Sequence, residues 1–278
     1  MTLSPPQEKI AVMRELSLLF RSAGAGCEYP SCRLQKGLLL AYGHKELSEE
    51  GIGFGVPILR FRHEAIFPGS ARIITRREDE RTVVTVDYDL NLVERMAIKG
   101  KRIDSRAFYR IKEYLSWLHR EYPHSRRMLT HASSTLRRIS GIQTRFEEAA
   151  SIGIVSVLFT IKADEIHVSV DTGMVEKSNC TEIMLMNEQG AGYFNLYRDS
   201  NGLLLKGNAI GTWDETFADE ASFIDPLHEI QFTMQKAAGS RMFRGRELVP
   251  GRLAWAGIAY SLPPNTTNFS YNIRLVTA

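Results

Sequence analysis

Val84-Thr85-Val86-Asp87-Tyr88-Asp89-Leu90-Asn91-Leu92 alternates apolar and polar residues without a break. A period of two is that of a β-strand with one buried face, because successive side chains leave a strand on opposite sides. Val84, Val86, Tyr88, Leu90 and Leu92 therefore point to a core. Asp87 and Asp89 project from the other face about 7 Å apart, at roughly 3.3 Å of rise per residue. Such a pair can grip a cation or sugar hydroxyls, or act as acid and base, and it is equally what a solvated strand face carries. Residues 65–75 read as a preceding strand and 76–81 as a charged turn.

On the other side lies the most basic stretch, 95–145. Thirteen Lys or Arg stand there against three acids, a net +10. The whole chain carries only +3, so the rest carries −7. Phe108, Ile111, Leu115 and Leu118 repeat at helical spacing, as do Leu129, Ala132, Leu136 and Ile139, with Pro123 between the two sets. The spacing predicts a basic helical hairpin over about 104–141, inserted between two β regions. Arg126, Arg127, Arg137 and Arg138 are its candidate anion-binding residues. Ile10, Met13, Leu16 and Phe20 similarly predict an N-terminal helix over 4–21.

Beyond 145 the chain reads as β to its end. Residues 152–161 are apolar apart from small residues and predict a strand buried on both faces. Along 166–171 the alternation exposes His167, Ser169 and Asp171. They form no catalytic triad, since neighbours on one strand face stand about 7 Å apart and a nucleophile needs its base at about 3 Å. His167 can still pair across to a neighbouring strand. Asn201-Gly202 marks a tight hairpin turn.

Two polar, aromatic-bearing stretches flank that hairpin: Asn187-Glu188-Gln189-Gly190-Ala191-Gly192-Tyr193, and Gly211-Thr212-Trp213-Asp214-Glu215. Carbohydrate sites are commonly built this way, with an aromatic ring on the sugar's C–H face and amides or carboxylates on its hydroxyls. Glu188 with Asp214 or Glu215 is then the candidate catalytic pair. Trp213, Tyr193, Asn187, Asp87, Asp89 and His167 are the candidate substrate-binding residues.

Several other chemistries are not supported. Gly51-Ile52-Gly53-Phe54-Gly55-Val56-Pro57 resembles a phosphate loop, but a strand-like run follows it where a helix is required. Three Cys give neither a disulfide framework nor a zinc ligand set. No metal or cofactor is implied. No apolar run approaches the roughly 20 residues of a membrane span. No export signal is visible either, so the expected location is cytoplasmic.

Strands at roughly regular spacing with turns between them argue for packed antiparallel sheets. The expected fold is mainly β with α: a large antiparallel β-sandwich carrying the helical hairpin and the N-terminal helix. One domain over 1–278 is favoured over two lobes, 1–145 and 146–278. Three functions remain open. One is a carbohydrate-directed protein, binding a sugar or hydrolysing or isomerising it through paired carboxylates. Another binds nucleic acid or a further polyanion through the hairpin. The last is a non-catalytic protein that self-associates as a homo-oligomer through its divided charge.

Overall fold

In the computed structural model the alternating stretch is the middle of a strand 18 residues long. The structure describes residues 8–11, 15–21, 23, 33–62, 64–78, 80–98, 101–102, 142–249 and 253–277. The helical hairpin expected over 104–141, with Arg126, Arg127, Arg137 and Arg138, lies outside them.

The first strands are β1 (Glu8–Ala11), β2 (Leu16–Phe20), β3 (Leu39–Tyr42), β4 (Lys45–Glu46), β5 (Gly53–Phe61), β6 (Glu64–Glu78) and β7 (Arg81–Ile98). Next come β8 (Lys101–Arg102), β9 (Ile142–Glu148), β10 (Gly153–Ile161), β11 (Glu165–Val175), β12 (Cys180–Gln189), β13 (Leu196–Asp199) and β14 (Leu204–Lys206). A 3-10 turn, Gly207–Ile210, leads to β15 (Asp214–Thr216), β16 (Glu220–Asp225), β17 (Ile230–Gln235), β18 (Arg241–Val249), β19 (Leu253–Leu262) and β20 (Asn268–Thr277).

Strands β1 to β4 form a small antiparallel sheet. The others form one large sheet in the order β14-β13-β16-β17-β20-β11-β10-β7-β6-β5-β12-β19-β18-β15, with β8 and β9 also pairing with β7. This sheet folds over on itself. Phe54 of β5 meets Phe232 of β17 edge to face at 5.3 Å, and Tyr271 of β20 hydrogen-bonds Asn187 of β12, although these strands are far apart in the sheet order. The two layers enclose one apolar core, to which Val84, Val86, Tyr88 and Leu90 contribute as their alternation predicts. The ends of the sheet also approach each other. The Tyr197 hydroxyl of β13 lies 3.2 Å from Thr216 Oγ1 of β15, and the Arg244 guanidinium sits 5.2 Å from the Tyr197 ring centre.

The antiparallel sandwich is as expected, but the N-terminal helix is not present. Residues 8–11 and 16–20 are paired strands, with Ile10 opposite Leu18. The spacing of Ile10, Leu16 and Phe20 fits a helix, yet every residue of β2 is buried. Leu16, Leu18 and Phe20 enter the main core, while Leu19 packs with Leu39 and Ala41 on the other side. Two-sided burial hides the period of two. β10 departs in the opposite sense: Val155, Val157, Phe159 and Ile161 are inside, while Ile154 and Leu158 face solvent. The Asn201-Gly202 hairpin also forms differently. Gly202 alone takes a positive φ (+81°) and donates to Asp199 O, so the turn is type I closed by a left-handed glycine.

Candidate functional site

β12 lies between β5 and β19, and its last seven residues are all buried. Its inner face carries Ile183, Leu185, Asn187 and Gln189; its outer face carries Met184, Met186 and Glu188. The polar members of the inner face are fully engaged. Asn187 Oδ1 accepts from Tyr271 Oη at 2.8 Å and from the Gly55 amide at 3.0 Å. Gln189 accepts from the Leu40 amide and donates to Leu38 O, fastening β3 to β12.

Glu188 stands alone in character on the outer face, only 6% exposed. One carboxylate oxygen accepts from the Ile52 amide at 3.3 Å. Burial pushes its pKa up to about 7, against the opposing pull of that amide and of Lys36. Lys36 is buried as well and donates through Nζ to Glu49 O at 3.1 Å. Burial lowers its pKa, while the carboxylates of Glu46, Glu50 and Glu188 resist the shift. An acid that is half-ionised near neutrality is suited to both giving and taking a proton.

The strand register connects Glu188 to an aromatic pair. Glu188 is opposite Gly257 on β19, which is opposite Gly245 on β18. Trp255, two residues before Gly257 and on the same face, is thus a diagonal neighbour of Glu188. The far edge of the Trp255 ring reaches Gly245, where a Cβ would come within 2.9 Å of it. Trp213 stacks on Trp255 with ring centres 4.7 Å apart and planes 9° from parallel. Its backbone is left-handed (φ 57°), and it remains half-exposed above the nearly buried Trp255. The face therefore runs from a buried acid, past one indole, to a second indole in contact with water.

The other candidate acids do not meet Glu188. Asp214 pairs in register with Arg244, and Arg244 with Ile258, a residue of the inner core. Asp214 thus points inward, three strand spacings or about 14 Å from β12. Its carboxylate is 3.9 Å from Arg244 Nη2. Glu215 faces outward like Glu188 at a similar remove, 3.9 Å from Arg241 Nη1.

Asp87, Asp89 and His167 lie on the outer face of the opposite layer. Asp87 accepts from Ser156 Oγ at 2.7 Å, and Asp89 accepts from Asn91 and Ser151. His167 Nδ1 is 2.7 Å from Asn272 Oδ1 on β20, the cross-strand pairing its position allowed. Tyr193 follows the end of β12 and belongs to a different group, beside His228 and Lys45. Lys36 and Trp255 were not singled out by sequence pattern. The one is an isolated Lys before an apolar run, and the other one aromatic among many. Among the described residues no cluster of three or more His, Cys, Asp or Glu could hold a metal ion.

No protein-family model matches the chain, and no curated protein does. Its whole length can be superposed on several solved structures at low similarity. The Slr1438 protein from Synechocystis sp. PCC 6803 is 8% identical, with 99% of this chain and 96% of that one covered and a TM-score of 0.44. HI1317 is 8% identical, with 99% and 98% covered and a TM-score of 0.40. A candidate aldose 1-epimerase from Escherichia coli K12 is 8% identical, with 98% and 99% covered and a TM-score of 0.43.

Proposed function

We propose that this protein is carbohydrate-directed, and that a sugar binds on the face formed by Glu188, Trp255 and Trp213. The observation that carries this reading is Glu188 itself: a buried carboxyl pushed up to about 7, diagonal to a stacked indole pair whose outer member is half-exposed. Indole surface suits the C–H face of a pyranose, and a neutral carboxyl can donate to a sugar oxygen where a carboxylate cannot.

The chemistry that best suits one such acid is proton transfer at a hemiacetal. Opening a cyclic sugar requires a proton delivered to the ring oxygen and another removed from the anomeric hydroxyl. Glycosidic hydrolysis usually needs two carboxyls about 5 to 10 Å apart. The register supports that less well, since Asp214 faces the opposite side and Glu215 stands about as far off, both beside arginines. Polarimetry of freshly dissolved α-D-glucose or α-D-galactose tests the proposal. We expect faster optical relaxation with wild-type protein and a loss of at least tenfold in Glu188→Gln, which keeps shape and removes the proton. Equal rates for the variant, or no acceleration by the wild type, count against it.

The polyanion and self-association readings rest on the division of charge between residues 95–145 and the remainder. Most of that stretch lies outside the described residues, and the described ones add nothing to either reading.

A further inference from the structure

The turn joining β16 to β17 carries an arrangement that no sequence pattern announced. Asp225, only 1% exposed, accepts from the Leu227 and His228 amides and lies 2.6 Å from His228 Nδ1. A carboxylate only accepts, so Nδ1 carries a proton, and in the neutral imidazole Nε2 then keeps its lone pair, on the ring edge away from Asp225. Two tyrosines from other elements hold the imidazole. Tyr42 of β3 is tilted at 48° with its ring centre 5.1 Å away, and Tyr193 is tilted at 53° at 5.9 Å. Lys45 Nζ sits 4.7 Å from the Tyr193 ring centre. Tyr42 and Tyr193 are themselves half-buried.

We propose that this corner is a second ligand site, at which His228 Nε2 accepts a hydrogen bond from a hydroxyl of a neutral, ring-shaped polyhydroxylated molecule seated against Tyr42 and Tyr193. The ligand class rests on the carbohydrate reading above; the site does not, because it shares no residue with the Glu188 face. Neutrality follows from the local charges. Asp225 binds the imidazole, Glu15 hydrogen-bonds Tyr42, and Glu229 acts electrostatically on the same hydroxyl, against a single ammonium from Lys45. Three carboxylates around one lysine disfavour a phosphate or carboxylate ligand. The imidazole has its tautomer and plane fixed in advance, which lowers the ordering cost of binding.

The test uses the full chain and NMR of the His228 ring nitrogens and Tyr193 ring protons, titrated with D-glucose, D-galactose and glucose 6-phosphate. In its neutral form, free His228 is expected as the Nδ1–H tautomer. The neutral sugars should shift both Nε2 and Tyr193. In His228→Asn the side-chain amide can still donate to Asp225, so the melting temperature should hold while the sugar needed to shift Tyr193 rises at least tenfold. An Nε2–H tautomer, a Tyr193 titration unchanged in the variant, or tighter binding of glucose 6-phosphate would overturn the proposal. If Trp213 emission responds to sugar and His228 does not, this site fails and the Glu188 face stands. If His228 responds and Trp213 does not, the reverse holds, and silence from both removes both.

Discussion

Glu188 is an acid whose surroundings favour its proton. Its folded pKa of about 7 lies above the ordinary 4.5, so between these values the folded chain holds a proton that the unfolded chain has released. Stability contributed by the neutral form is therefore fully present below pH 4.5 and is lost as pH rises to about 7, with little further change above. At about 1.4 kcal/mol per pH unit the loss is on the order of 3 kcal/mol. Glu188→Gln should remove that slope, so that variant and wild type differ more in urea-unfolding free energy at pH 8 than at pH 5. Parallel pH profiles would show that Glu188 titrates normally. Asn187 and Gln189, one residue away on either side, have no such freedom, because every bond they make is to a backbone or to Tyr271. Three adjacent polar residues thus divide into two structural amides and one acid available for chemistry.

At the scale of elements, β12 holds the site because its neighbours come unusually close. A Cβ at Gly257 would lie 2.0 Å from Asn187 O, a backbone atom that cannot rotate away. Gly257→Ala should therefore force β12 and β19 apart and cost on the order of 3 kcal/mol. Gln189→Ala should cost about 1–3 kcal/mol by leaving the buried Leu40 amide without its acceptor. Thermal melts of both variants check these figures, and wild-type melting of Gly257→Ala would contradict the close approach. Strands with one wet face were legible in the sequence: β7 shows it in Asp87 and Asp89, β20 in Phe269, Tyr271, Ile273 and Leu275. Strands buried on both faces were not, because burial at every position erases the period, and β2 consequently reads as a helix. In β10 the exposed Ile154 and Leu158 supply the same illusion from the solvent side. Within the site, Glu188 and Trp213 stood out by composition. Their connection through Gly257, Gly245 and Trp255 depends on strand order, which local sequence does not encode. The Asp225–His228 pair was missed for a similar reason: Asp-Pro-Leu-His looks like an ordinary turn until Tyr42 and Tyr193 arrive from distant parts of the chain.

At the scale of the whole molecule, one large sheet folds into two layers with its ends meeting at Tyr197 and Thr216. Among the described residues no helix is long and apolar enough to cross a membrane. β7 runs into the start of the basic stretch, β9 begins at its end and β10 follows it, and both β9 and β10 pair with β7. We propose on that ground that residues 1–278 form one domain. Calorimetry should then give a single unfolding transition, where separate lobes would give two. The proposed function depends on a sugar reaching the Trp213 end of the Glu188 face. Its most direct test is tryptophan emission at neutral pH, titrated with D-glucose and D-galactose in wild type, Trp213→Phe and Glu188→Gln. A saturable change that disappears in Trp213→Phe and needs more sugar in Glu188→Gln is the predicted result. No saturable change in the wild type, or the same change in all three proteins, would contradict it.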